Sequence, residues 1–111
     1  MSDTYYDPAD LAKFASIAEH APEMGKKFFE WYGETFEEGA LTTREKKLVA
    51  LGVAHAIQCA YCIDAYTRGT LELGCDVEQL TEVVHVAATI KAGAALVHGV
   101  QMRNVADSLG M

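Results

Sequence analysis

The sequence predicts an all-α fold, and three observations support this prediction. Apolar residues recur at spacings of three and four along most of the chain, which is the period of an amphipathic helix. Capping boxes at residues 42–45 and 76–79 indicate two helix starts. No alternating apolar and polar run long enough to indicate a strand is visible. We therefore expect residues 1–111 to form one domain of five to six helices.

Three helices are predicted in the first half of the chain. Asp7 and Pro8 begin the first, with Asp7 as the cap and Pro8 in the first turn. Pro22 opens the second helix, which Gly39 is expected to close. The third begins at the first capping box. It is apolar nearly all round after Lys47, so it should be buried on several sides.

The second half of the chain is predicted to hold the remaining helices. A short break at Gln58 would place Cys59 at the start of the fourth helix, which Gly74 stops. The second capping box starts a fifth helix, which either ends before a sixth or continues into it across Gly93. These late helices are rich in alanine and carry more apolar surface than one core of this size needs. Homo-oligomerisation is therefore expected.

Composition excludes several kinds of partner. The net charge of −7 argues against nucleic acid and against an anionic membrane surface. We see no cationic amino-terminal region followed by an apolar segment, and no apolar run near the roughly 18 residues that a membrane span needs. A cytoplasmic location is expected, where a Cys-x-x-Cys pair is normally reduced and free to cycle.

The motif with the clearest chemistry is the pair Cys59 and Cys62. A spacing of three places both sulfurs on one helical turn, close enough to form a disulfide or to bind one soft metal ion. Cys75 lies thirteen residues further on, and a four-ligand zinc site would need it and a histidine to fold back. Redox chemistry is favoured, and a metal site or an inert buried pair are the alternatives. A helix start at Cys59 would also stabilise a thiolate.

A family resemblance is specific in the same region. Residues 44–51, the Cys-x-x-Cys pair, a Gly-Cys-Asp hinge and an alanine-rich helix pair resemble the carboxymuconolactone decarboxylase superfamily, over about residues 20–105. The cysteine pair points to its alkyl hydroperoxide reductase D (AhpD)-like branch. Residues 5–8, 54–59 and 97–102 resemble peroxidase-like proteins associated with arsenosugar biosynthesis. The resemblance implies an all-α fold, homotrimers or homohexamers, and peroxidase or disulfide reductase activity that draws electrons from a dithiol donor.

The resemblance also implies roles for the cysteines, and it shows a gap. By the AhpD motif, Cys62 would attack a peroxide and Cys59 would resolve the resulting sulfenic acid to a disulfide. The glutamate and two histidines of that motif fall at Lys47, Tyr61 and Tyr66 in this sequence. The carboxylate–histidine proton relay of the family is therefore missing in its usual residues.

Other side chains near the cysteines are candidates for that proton transfer. His55, one helical turn before the first cysteine, can exchange a proton near neutral pH. Tyr66, one turn after the second, is a donor or orienter, because a phenol with a pKa near 10 is a poor base. Lys47 would favour a thiolate through its charge. Tyr61 and Asp64 are further candidates for support. Each of these residues can also be a packed or solvated residue without a catalytic role.

The sequence thus predicts a thiol-dependent peroxidase or disulfide reductase acting on a peroxide or another small oxidised substrate. No glycine-rich phosphate loop or ligand cluster suggests a metal, flavin or haem, so no cofactor is expected. The first alternative is a protein that captures a soft ion such as zinc or arsenite with Cys59, Cys62 and Cys75. A non-redox lactone decarboxylase is the second, and it ranks last because that chemistry needs no cysteine pair.

Overall fold

The computed structural model describes residues 4–111 and consists of five α-helices preceded by a 3-10 helix. In chain order the elements are the 3-10 helix Pro8–His20 and the α-helices α1 (Pro22–Thr35), α2 (Thr43–Ile57), α3 (Ala60–Glu72), α4 (Val77–Val97) and α5 (Gly99–Ser108). The described part of the chain contains no strand, and the all-α prediction is confirmed.

Both predicted capping boxes are present. The Thr42 hydroxyl accepts the Glu45 backbone N–H at 3.0 Å, and the Glu45 carboxylate accepts the Thr42 N–H at 2.9 Å. Asp76 and Gln79 make the same reciprocal pair at 2.8 and 2.9 Å. Each box gives partners to N–H groups that have none inside the helix, which fixes where α2 and α4 begin.

One helix end differs from the sequence prediction, and a second that the sequence left open is located by the structure. The helix α1 ends at Thr35 rather than near Gly39. The next two N–H groups bond to carbonyls three residues back, at Gly33 and Glu34, instead of four residues back, which closes the helix with a tighter turn. Near the carboxyl end, the break between α4 and α5 lies at His98, and α4 runs through Gly93.

The first segment begins at the predicted residues but is a 3-10 helix instead of an α-helix. Asp7 caps it by accepting the Ala9 N–H at 2.9 Å. Its 13 residues are a long run for this conformation, whose hydrogen bonds have poorer geometry than those of an α-helix. The conformation of this segment therefore depends on the neighbours that it packs against, which are α1 and α3.

The buried core lies where α2 packs against α3 and α4. It consists of Leu51, Cys75 and Leu80, with Leu48, Tyr66 and Val83 packed around them. The expectation that α2 is buried on several sides is wrong for the single chain. Val49 and Val53 on its other face are 57% and 50% exposed, because no element of the same chain covers them.

The chain is much less compact than its length allows. Its radius of gyration is 18.9 Å, whereas a compact domain of this length has about 13 Å. Its accessible surface is 8611 Å², about 2,600 Å² more than the mass-scaling relation gives for a monomer. The extra surface includes many large apolar side chains on α4 and α5.

One stretch passes a length-and-composition test for membrane spans. The window within Val77–Ser108 has a mean hydropathy of 1.5, and none of it is buried within the chain. The sequence analysis expected no apolar run near the length of a membrane span. The same exposed apolar character is typical of a surface between subunits, so length and composition alone are weak evidence for a span.

Candidate functional site

The cysteine pair lies at the junction between α2 and α3. Gln58 ends α2 in the left-handed conformation, with φ 59° and ψ 49°, and Cys59 is the residue that caps α3. The predicted break and the position of Cys59 are therefore confirmed. The structure contains a Cys59–Cys62 disulfide with 5.2 Å between the Cα atoms. Cys75 is a free thiol buried in the core.

The start of α3 provides a favourable environment for thiolates. The Sγ of Cys59 accepts the backbone N–H of Cys62 at 3.2 Å, and it occupies the capping position that a hydroxyl or carboxylate usually fills. Cys62 lies in the first turn of the same helix. Unpaired N–H groups at a helix start stabilise negative charge, so both sulfurs gain thiolate stability once the disulfide is reduced.

Two tyrosine hydroxyls meet beside the cysteines. Tyr66 lies one turn after Cys62 on the same face of α3, and helical side chains lean toward the amino end, which carries the ring of Tyr66 toward Cys62. Its hydroxyl is hydrogen-bonded to that of Tyr32 from α1. Its ring stacks on Phe36 with 5.4 Å between centroids. Burial raises the pKa of Tyr32 above 10.0, so this phenol is neutral near pH 7.

Two cavities meet at this group of side chains. The first, about 510 Å³, lies against α2 and is lined by Cys62, Tyr32 and Tyr66 among mainly apolar residues. The second, about 410 Å³, lies between the 3-10 helix and α3, and we call it the segment cavity. Both cysteines and three tyrosines line it, together with apolar residues of the 3-10 helix. Cys62 borders both cavities, whereas Cys59 borders the segment cavity and not the first.

Tyr61 borders the segment cavity and fastens the amino-terminal residues above it. Its hydroxyl donates to the backbone carbonyl of Tyr5 at 3.1 Å, and its ring meets that of Tyr6 edge-on with 5.6 Å between centroids. Desolvation, followed by the negative charge of Asp10, raises the pKa of Tyr61. Tyr61 is therefore a neutral hydrogen-bond donor in this arrangement, and its supporting role at the site stays a prediction.

Lys47 lies behind the two tyrosines and lines neither cysteine cavity. It borders a third cavity of about 270 Å³ together with Tyr32, Phe36 and Tyr66. Its stem passes over Gly69 of α3, where a methyl group would meet the Lys47 Cδ at 3.4 Å. Lys47 and the two tyrosines therefore border the same cavity, and the effect of Lys47 on a thiolate stays a prediction.

His55 and Asp64 also lie outside the two cavities that Cys62 borders. His55 donates its Nδ1–H to the Leu51 carbonyl at 2.8 Å, which leaves Nε2 as the basic nitrogen. Asp64 accepts a hydrogen bond from the Arg68 guanidinium at 2.8 Å, and this ion pair raises the pKa of Arg68. The proton-transfer roles of both residues stay predictions.

Tyr32 is the site residue that sequence reasoning missed. The aromatic residues of α1 recur at helical spacing, and spacing alone gives no reason to separate one of them. A usable signal was present, because a tyrosine in such a stripe brings a hydroxyl that needs a partner when it is buried. That partner, Tyr66, lies 34 residues further along the chain.

The model of the carboxymuconolactone decarboxylase family matches residues 22–102 of the chain. The protein belongs to this family. A Paracoccus denitrificans protein described as uncharacterized protein 4 in the cox locus is 40% identical over 74 residues, which are 67% of each chain. The superfamily resemblance read from the sequence is thereby confirmed. The family match begins at the first residue of α1, after the 3-10 helix.

Two solved structures share the fold of this family member. A Methanobacterium thermoautotrophicum protein from a structural genomics programme superimposes with a TM-score of 0.74 at 31% identity, covering 78% of this chain and 97% of that one. The apo form of a carboxymuconolactone decarboxylase family protein from Legionella pneumophila has a TM-score of 0.65 at 26% identity, covering 78% of each chain.

Proposed function

We propose that the protein is a thiol-dependent oxidoreductase that reduces peroxides, or small disulfides, through Cys59 and Cys62. The observation that carries this proposal is the Cys59–Cys62 disulfide at the start of α3, bordered by a cavity and by two phenols. Such a pair can hold two electrons as thiols and release them as a disulfide. Family membership supports the proposal at the level of the fold and the motif.

The proposed cycle begins with the Cys62 thiolate. It attacks one oxygen of the peroxide, an S–O bond forms, and the O–O bond breaks. The leaving alkoxide or hydroxide takes the Tyr66 proton and departs as alcohol or water, and solvent returns that proton. The Cys59 thiolate then attacks the sulfur of the sulfenic acid, and the S–O bond breaks as the disulfide forms. The hydroxide that leaves takes a proton from solvent and becomes water. A dithiol donor reduces this disulfide and is itself oxidised to a disulfide.

Cys59 suits the resolving step because its sulfur occupies the helix cap. The N–H of Cys62 that contacts it favours the thiolate, which is the form that attacks sulfenic sulfur. The same contact makes Cys59 a good leaving group when the donor attacks Cys62. Tyr32 acts through Tyr66, because its hydroxyl fixes the direction of the Tyr66 O–H.

Peroxide consumption with dithiothreitol as the donor tests the proposal. The wild type, Cys62→Ser and Cys75→Ser are compared, with Cys75→Ser as the matched control because that thiol is buried away from the cavities. We expect turnover in the wild type and in Cys75→Ser, and loss of turnover in Cys62→Ser. A wild type that consumes no peroxide, and reduces no small disulfide, contradicts the proposal.

A second candidate function is the capture of a soft ion, and the geometry favours it less. Cys75 belongs to the core cluster rather than to the cysteine cavities. Within residues 4–111 no group of three His, Cys, Asp or Glu side chains is positioned to hold a metal ion. Stoichiometric arsenite binding without peroxide turnover is the result that would favour this reading.

We also propose that the protein is a homo-oligomer, a trimer or a hexamer. An apolar groove of about 630 Å³ lies between α2 and α4, lined by residues such as Val53 and Ile90. The excess accessible surface of about 2,600 Å² per chain is well above the roughly 800 Å² that each partner buries in a standard interface, and suits the larger interfaces of permanent oligomers. Burial of these side chains against other copies would also cover the exposed face of α2.

A further inference from the structure

We propose that residues 4–20 form a lid that shields the sulfur of Cys59, so that a bulky thiol donor attacks the disulfide at Cys62. The inference rests on the thiol oxidoreductase proposed above and adds which sulfur accepts the donor. It also assigns a role to the 3-10 helix, which lies before the part of the chain that the family model matches.

The two sulfurs of the disulfide differ in the routes that lead to them. Cys62 borders the cavity against α2 as well as the segment cavity, whereas Cys59 borders only the segment cavity of these two. The 3-10 helix supplies one wall of the segment cavity through Leu11, Phe14 and Ile17. A bulky donor that approaches Cys59 through this cavity therefore has to displace the lid, whereas a donor that approaches Cys62 can use the other side.

The lid is anchored on α1 by close packing. The ring of Phe14 lies 5.1 Å from that of Phe29 and 6.0 Å from that of Phe28. Ala18 lies so close to Gly25 that a methyl group added at Gly25 would come within 2.8 Å of the Ala18 Cα. A favourable contact between two carbon atoms needs about 3.5–4.0 Å, so this approach requires the glycine.

The attachment of the lid to α3 is weaker, and we call it the latch. The Tyr61 hydroxyl donates one hydrogen bond to the Tyr5 carbonyl at 3.1 Å, and the Tyr61 ring meets that of Tyr6 edge-on at 5.6 Å. Tyr5 and Tyr6 are 84% and 56% exposed, so water competes for these contacts. Because Tyr61 lies between the two cysteines in the sequence, the latch is attached to the turn that reacts.

The 3-10 helix has the properties of a segment that opens locally. None of its residues is buried, and its hydrogen bonds have poorer geometry than those of an α-helix. Segments with few buried apolar contacts open at a low cost in free energy. A single residue, Ala21, joins it to α1. When the latch breaks, the amino-terminal end of the lid can therefore swing away while the end at Ala18 stays against α1.

The lid directs the course of disulfide reduction. A donor thiolate attacks the Cys62 Sγ and forms a mixed disulfide, and the bond between the two cysteines breaks with Cys59 leaving as a thiolate. The second donor thiolate then attacks the donor sulfur of the mixed disulfide, and Cys62 leaves as a thiolate. Two electrons pass from the donor dithiol, which becomes a disulfide, to the cysteine pair. The two donor protons go to solvent or to the cysteine thiolates.

The first test locates the sulfur that a bulky thiol attacks. The disulfide form is mixed with a polyethylene glycol that carries one thiol, and the cysteine that leaves is trapped with N-ethylmaleimide. Peptide mapping should then find the polymer on Cys62 and N-ethylmaleimide on Cys59. Polymer mainly on Cys59, equally on both sulfurs, or on neither would overturn the proposal. The mapping uses no peroxide, so its result is separate from the result of the peroxidase assay.

The second test opens the lid with two variants. Tyr61→Phe removes the hydroxyl of the latch and keeps its ring, and Gly25→Ala pushes Ala18 away from α1. Gly33→Ala is the matched control, because it makes the same change on α1 where a methyl group meets nothing within 4 Å. Circular dichroism of each variant checks that the α-helices are retained.

Access to Cys59 is measured in a Cys62→Ser background. Each reduced protein is treated with iodoacetamide and with a maleimide on a long polyethylene glycol chain, and the rate for the bulky reagent is divided by the rate for the small one. This ratio should rise about 2- to 13-fold in Tyr61→Phe, the factor that one net hydrogen bond gives. It should rise about 5-fold or more in Gly25→Ala, as overpacking of a tight contact implies. A ratio unchanged in either variant, or raised equally in Gly33→Ala, would contradict the lid.

Discussion

Replacement of Tyr66 by phenylalanine removes one hydroxyl and keeps the ring that stacks on Phe36. If Tyr66 gives its proton to the leaving group, the first step of the cycle loses its general acid, and the rate should fall by about 10²- to 10⁴-fold. The unfolding free energy should fall by only about 1 kcal/mol, the net contribution of one hydrogen bond. The large loss is therefore expected in chemistry and the small one in stability.

Tyr32→Phe separates proton donation from orientation. It removes the hydroxyl that holds Tyr66 but leaves the Tyr66 proton in place. A net hydrogen-bond contribution of about 0.5–1.5 kcal/mol corresponds to a rate loss of about 2- to 13-fold. Because Tyr32 acts only through Tyr66, the double variant should be no slower than Tyr66→Phe alone, which is a non-additive result.

The assay follows the oxidation step by itself. Reduced protein, freed of donor, is mixed with a limited amount of peroxide, and the remaining free thiols are titrated at successive times. Alkylation of the thiols by iodoacetamide is the control, and its pH profile should be the same in Tyr66→Phe and wild type, since Tyr66 acts on the leaving group. Oxidation of Tyr66→Phe at the wild-type rate would refute the role of Tyr66. Rate losses that multiply in the double variant would refute the dependence of Tyr32 on Tyr66.

Three further predictions concern the proton acceptor, the assembly and the alkaline stability. If His55 takes a thiol proton, His55→Gln should slow the oxidation of the thiols by peroxide by about 10²-fold or more and shift the pH profile of thiol alkylation. An unchanged pH profile in the folded variant would make His55 a packing residue. Light scattering should give a multiple of the 12.1 kDa chain mass. Ile90→Asp, in the groove between α2 and α4, should lower that mass while the helical circular dichroism signal is unchanged. A wild-type mass near that of one chain would exclude the oligomer. Because burial raises the pKa of Tyr32 above 10.0, its contribution to stability should be complete below that pH and be lost as the pH rises through the folded pKa. Urea unfolding should therefore show a smaller alkaline loss in Tyr32→Phe than in wild type, and equal losses would exclude this contribution.

The features that sequence reasoning predicted well depend on hydrogen bonds between near neighbours. Each capping box joins residues three apart, so its two members are visible together in the sequence. The break at Gln58 is equally local, because the N–H groups of Gln58 and Cys59 bond back to carbonyls of the last turn of α2. These local bonds place the cysteine pair at the start of a helix, so its position can be predicted without any tertiary contact.

The features that were missed depend on contacts between residues far apart in the chain, or concern a surface that the chain leaves exposed. Whether residues 8–20 form an α-helix or a 3-10 helix is decided by packing against α1 and α3, which no local pattern encodes. The pair of Tyr32 and Tyr66 joins residues on two helices that are not consecutive in the chain. The sequence predicts burial for the exposed face of α2, because an apolar pattern does not show whether the same chain or another chain covers it.

The replacements at positions 47 and 66 make physical sense as a pair. In the AhpD motif these positions hold a glutamate and a histidine, and a carboxylate stabilises an imidazole that has taken up a proton. Here Lys47 and Tyr66 line one cavity. A tyrosine that gives up its proton becomes an anion, and a nearby ammonium group stabilises that anion, whereas a carboxylate would oppose it. A glutamate beside Tyr66 would hinder proton donation, and a lysine beside a histidine would hinder proton uptake. The pair present in this chain therefore suits the proposed proton donation to the leaving group. The Cys62 thiol must give its proton to another base or to solvent, and the helix start then stabilises the thiolate.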